Sequence, residues 1–102
     1  MSTKSYFETF KTAIARIYRT HTNGITKVVG AGFLVGDRHL LTCAHVVAEA
    51  LGIARDTQEL PSGTIELDFP LIAAGQKVKA KVVFWQPVNP LQIGEDIAGL
   101  HL

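Results

Sequence analysis

A single cysteine, Cys43, is present in this 102-residue chain, so no intrachain disulfide can form and nothing asks for an oxidising compartment. Long apolar runs are missing too. None approaches the roughly 20 residues that a membrane-spanning helix requires. The opening MSTKSYFETFKTAIARIYRT also lacks the continuous apolar centre of a secretory signal. These absences predict a cytoplasmic protein with no membrane association. Charge of one sign is equally scarce, with ten Lys and Arg against nine Asp and Glu for a net charge of +1. Only Lys77, Lys79 and Lys81 cluster, and their period-two spacing reads as one solvated strand face. A nucleic-acid surface would need a broader basic area interleaved with stacking aromatics, so nucleic acid is excluded as a partner.

What is present suits one packed domain. Apolar residues make up 47% and charged residues 19%, a balance that excludes disorder. A chain of this length can build one core but not two. Ser5 and Glu8 fit a capping box, which predicts a short helix at about 6–11. TAIARIYRT (12–20) carries both helical and strand signals and is read as strand. Asn23-Gly24 marks a turn. ITKVVGAGFLV (25–35) is β-rich, and its glycines predict a bulge or a close backbone approach.

Gly36-Asp37-Arg38 then connects to a third strand, HLLTCAHVV. AEALGIA (48–54) has the composition of a short helix stopping near Gly52. TIELDF (64–69) and KVKAKVVFW (77–85) alternate with a period of two, and a last strand spans 97–102. Six short strands with turn signals between them predict an all-β fold, an antiparallel barrel or sandwich.

Within this pattern, LTCAHVV (41–47) stands out because a histidine sits in an apolar run two residues after the cysteine. His39, Cys43 and His45 are zinc-capable and could share a strand face. A structural zinc site needs four protein ligands in recognisable spacings, and neither CxxC nor HxxxH occurs; no metal and no cofactor is expected. Cys43 as a nucleophile would need a helix N-terminus or a cation beside it, and a strand interior offers neither. It reads instead as a buried small hydrophobe.

His45 as a general base requires a carboxylate to fix its tautomer and stabilise the imidazolium. Asp37 belongs to a turn, Asp56 and Glu59 to a polar loop, and Glu66 and Asp68 alternate outward from the apolar positions of TIELDF. Asp96, in GEDIA at the entrance of an apolar strand, fits best. A strand-initiating acid satisfied by backbone N–H groups is the structural alternative.

GAGFLVGDRHLLTCAHVV (30–47) and GEDIAGLHL (94–102) together resemble the trypsin-like, chymotrypsin-fold serine peptidase family in its bacterial form. In that family a G-x-G-F strand and a turn precede L-T-[AC]-A-H, and a later D-[IL]-A opens with the catalytic aspartate. The resemblance runs from about Thr12 to Leu102. It implies a six-stranded antiparallel β-barrel, the first of the family's two barrels, with a short N-terminal helix and a short helix after the histidine. It also implies His45 as general base and Asp96 as its orienting carboxylate.

The family's serine lies in a G-[DN]-S-G motif of the second barrel, together with the oxyanion hole. Here the serines are Ser2, Ser5 and Ser62, and none has that context. The domain therefore reads as the N-terminal half of a peptidase, inactive alone, with the second barrel absent from residues 1–102. Val46 stands where secreted members often carry a cysteine, and no Ile-Val-Gly-Gly start exists for zymogen activation. The implied partners are a peptide or protein substrate, a second barrel in cis or on another chain, or a second copy held through the exposed barrel face. A catalytically dead barrel serving as a binding module is the alternative.

Overall fold

The computed structural model describes residues 13–20, 23–89, 91 and 95–102. Six strands form: β1 (Ile14–Thr20), β2 (Thr26–Leu34), β3 (His39–Thr42), β4 (Thr64–Asp68), β5 (Val78–Gln86) and β6 (Ile97–His101). Helix α1 (Ala44–Leu51) follows β3, and the single turn α2 (Pro70–Ala73) follows β4. The helix predicted at 6–11 lies outside the described residues.

The strands close into an antiparallel barrel in the order β1-β2-β3-β6-β5-β4, with β4 returning to β1. Period-two alternation builds its interior, because successive side chains point to opposite faces. Ala15 and Ile17 of β1, Leu40 of β3, Ile65 and Leu67 of β4, Ala80 and Val82 of β5, and Ala98 and Leu100 of β6 are all buried. Lys79 and Lys81 face solvent as expected. Burying each large aliphatic side chain stabilises the fold by about 2 kcal/mol relative to exposure.

The barrel is not a simple succession of hairpins. The connection from β3 to β4 carries α1 and crosses the barrel, which leaves the far edge of β3 to pair with β6. Residues near the end of β3 thus meet residues at the start of β6, with Thr42 opposite Ala98.

Both roles expected of the β2 glycines are found. Pairing with β1 slips between Ile17 and Tyr18, so Gly30 opposes Ile17 while Val28 opposes Tyr18, and Val29 is the extra residue of a bulge. Beside it, a Cβ on Gly30 would come within 2.7 Å of both Val46 methyls. The missing side chain lets α1 seat on β2, and α1 also packs against β1, β4 and β6.

Two expectations need correction here. The strand HLLTCAHVV ends at Thr42, and the helix begins at Ala44, four residues before its predicted start; its end at Gly52, with φ of 69°, is as expected. Asp68 does not alternate outward into water but is fully buried. It accepts hydrogen bonds from Arg16 Nε (3.0 Å) and Nη2 (2.7 Å), and from the backbone N–H of Gly75 (2.8 Å). The Arg16 hydrogen bonds hold its carboxyl down at about 2 against the opposing push of burial, helped by Gly75 and Tyr18. The sequence gives no local sign of this pair because Arg16 is 52 residues away and the chain after α2 folds back over the acid.

Two outcomes follow from this packing. Gly30→Ala is expected to destabilise by about 1–3 kcal/mol through overpacking, and Val46→Ala in the same chain should recover part of that loss, read as a non-additive cycle in urea denaturation. Asp68 has a depressed pKa in the fold. Its stabilisation is therefore complete above the ordinary carboxyl range, near pH 3.9, and is lost as pH falls toward about 2. Asp68→Asn should lower the melting temperature at neutral pH by at least about 5 °C and remove most of the slope of stability between those pH values.

Candidate functional site

The end of β3 and the start of α1 set the site. Thr42 fastens the strand end by donating its hydroxyl to the Ala31 carbonyl at 2.8 Å. Cys43 takes the N-cap position with φ −78° and ψ 141°, and its side chain makes no capping hydrogen bond. Its carbonyl accepts from Val46 N–H (3.1 Å) and Val47 N–H (3.4 Å). A helix start leaves several N–H groups without intrahelical partners. Here the missing acceptor comes from Asp96, the residue just before β6.

Asp96 Oδ1 accepts the backbone N–H of His45 at 2.8 Å, and Asp96 Oδ2 bonds His45 Nδ1 at 2.5 Å, across 51 residues. One carboxylate thus caps the helix and holds the ring. The two side chains are half-buried, 35% exposed for His45 and 28% for Asp96. Burial pushes the Asp96 carboxyl up, but the His45 side chain and backbone, together with the Ala44 N–H, outweigh it and leave it below its ordinary value. An ionised Asp96 accepts from Nδ1–H, so the neutral ring presents its Nε2 lone pair. Asp96 also has a φ of 150°, the one positive φ on a non-glycine residue among the described residues. Such backbone strain concentrates at functional sites.

His45 opens onto a surface cleft of ≈ 370 Å³ lined also by Arg19, Glu49, Gly52, Ile53 and Arg55. On the other side, Cys43 and Asp96 border a second cleft of ≈ 300 Å³ walled by Phe33, Leu41 and Ile97. The structure therefore brings His45 and Asp96 together, as their selection from the sequence requires, and the rejected acid Asp68 serves Arg16 instead.

Cys43 departs from expectation in two ways. It is exposed rather than packed in the core, and it occupies a helix N-terminus rather than a strand interior. The alternation argument failed because the strand stops one residue before it. His39 does not join Cys43 and His45 on a common face. It lies at the far end of β3 opposite His101, the rings meeting edge to face with centroids 4.7 Å apart. Ser62, the one serine among the described residues, is exposed in a separate cleft with Leu60 and Pro61.

No protein-family model matches the chain, and no curated protein matches it. Among the described residues, no helix is long and apolar enough to cross a membrane.

The double contact of Asp96 separates two losses. Asp96→Ala removes the helix acceptor and the ring anchor together and is expected to cost about 1–2 kcal/mol in urea denaturation. Asp96→Asn keeps one oxygen for the His45 N–H and should cost less, while shifting the ring tautomer, read from the imidazole 15N resonances.

Proposed function

We propose that this barrel supplies the base and orienting carboxylate of a Ser-His-Asp triad, as the N-terminal portion of a trypsin-like serine endopeptidase. The observation that carries the reading is the Asp96–His45 pair, in which one oxygen fixes the backbone and the other the ring. In a triad, a neutral imidazole takes the serine proton at Nε2 and later returns it to the leaving amine. The carboxylate holds Nδ1–H and stabilises the imidazolium between those steps, while the acyl-enzyme forms and is hydrolysed. Asp96 meets both needs: its carboxyl lies below the ordinary value, so it is ionised at neutral pH, and it faces Nδ1. The ordered motifs around His45 and Asp96 add to this, and the lone cysteine favours a cytoplasmic setting.

The serine and the oxyanion donors belong to a second barrel in this reading. An apolar row beside the dyad supports a docking face for it. Phe33, Leu41 and Gly99 are successive cross-strand partners, Phe84 opposes Gly99, and Ile97 lies two residues before Gly99. Phe33, Leu41, Phe84 and Ile97 are each 43–55% exposed. A contiguous exposed apolar surface of this kind marks an interaction site. Without the second barrel the chain does not hydrolyse peptides, since loss of one triad member already costs several orders of magnitude.

Reaction with a fluorophosphonate probe tests the proposal. The 102-residue chain should remain unlabelled. A polypeptide that continues through a following G-x-S-G segment should label, and His45→Ala should slow that labelling about a thousandfold. Labelling of the 102-residue chain, His45-independent labelling of the longer one, or the lack of a G-x-S-G serine in the coding sequence beyond Leu102 would overturn the reading.

A further inference from the structure

Three groups able to ligate a metal converge where α1 begins. Cys43 Sγ, an imidazole nitrogen of His45 and a carboxylate oxygen of Asp96 all lie within 4.8 Å of one another. Thiolate, imidazole and carboxylate are the donors that zinc takes, and a tetrahedral zinc bound through them has ligand-to-ligand edges of about 3.3–3.6 Å. Closing the gap needs only a small movement, because the Cys43 side chain is exposed and is not engaged in capping. The apolar cleft bordered by Phe33, Leu41 and Ile97 reaches both Cys43 and Asp96. It offers room for a water as fourth ligand.

We propose that Cys43, His45 and Asp96 form a binding site for a thiophilic divalent cation, best suited to Zn2+, and that occupancy silences the dyad by separating Asp96 from the His45 ring. The silencing rests on the triad reading above; the binding does not. The cation replaces the thiol proton of Cys43, which is released to solvent, and takes the Nδ1 lone pair of a neutral His45 whose one proton then sits on Nε2. Metal–sulfur, metal–nitrogen and metal–oxygen bonds form, and no electron changes hands. Mg2+ and Ca2+, which prefer several oxygen ligands, do not compete. The sequence alone hid the site because Cys43 and His45 are two residues apart while Asp96 lies 51 residues beyond His45.

Titration of the chain with Co2+, a spectroscopic substitute for Zn2+, tests the binding. One equivalent should produce a sulfur-to-cobalt charge-transfer band that Zn2+ abolishes. Cys43→Ser should remove that band, and His45→Gln and Asp96→Asn should each weaken Zn2+ binding at least about tenfold, with the fold checked by circular dichroism. Replacing His39 and His101 together by Ala should leave the band intact, since that exposed pair is the other place among the described residues where imidazoles gather. Absence of the band from the folded chain, unchanged Zn2+ affinity in His45→Gln and Asp96→Asn, or loss of the band with the His39 and His101 changes would each overturn the site.

The two proposals fail separately. A chain that binds Co2+ through sulfur, in a longer polypeptide that fluorophosphonate never labels, sinks the triad and leaves the site standing. A labelled polypeptide whose barrel gives no band sinks the site alone. Where both hold, Zn2+ should suppress labelling and a chelator should restore it; full labelling at saturating Zn2+ would overturn the silencing.

Discussion

Asp96 bonds the backbone N–H of His45 with one oxygen and the imidazole with the other, and both contacts depend on β3 and β6 being neighbours. That adjacency follows from the crossing connection through α1, which leaves the outer edge of β3 free until the last strand arrives. Helix and ring are therefore positioned by one acid. Removing the barrel closure would leave α1 without its acceptor and His45 without its orientation.

The two acids that the structure engages most fully have different tasks, set by what surrounds each. Asp68 is fully buried and held by a two-pronged Arg16 contact and the Gly75 N–H, so its lone pairs are committed to structure. Asp96 is part-exposed, and its oxygens are directed at a titratable ring that opens onto a cleft. A buried ion pair that is satisfied on every side stabilises a fold once formed, because breaking it strands a charge away from water. A carboxylate at a cleft edge can instead respond to what enters, whether a developing positive charge on the ring or a cation beside the Cys43 thiol.

Much of the strand pattern was legible because alternation is a local property. Ile65 and Leu67, Ala80 and Val82, and Leu100 fall at the period-two positions that their sequences mark, and the glycines of β2 yield both a bulge and a close approach. The helix start was not legible. Cys43 carries no conventional capping side chain, so the sequence reads as strand running through His45, and the true cap lies in a segment that only folding brings near. The outward reading of Asp68 failed for the same reason, since its covering groups come from β1 and from the chain after α2.

The sequence by itself determined an all-β chain of short strands and singled out His45 and Asp96 as a base and a carboxylate suited to each other, because residue chemistry and periodicity are written locally. The resemblance carried by its two motifs implied the closed six-stranded barrel that forms, and only the tertiary structure decided that β3 pairs with β6 and that Cys43 stands exposed at a helix start beside His45 and Asp96. Those outcomes depend on contacts between residues some fifty positions apart, and no local pattern encodes which distant partner will satisfy an unpaired N–H or a buried charge.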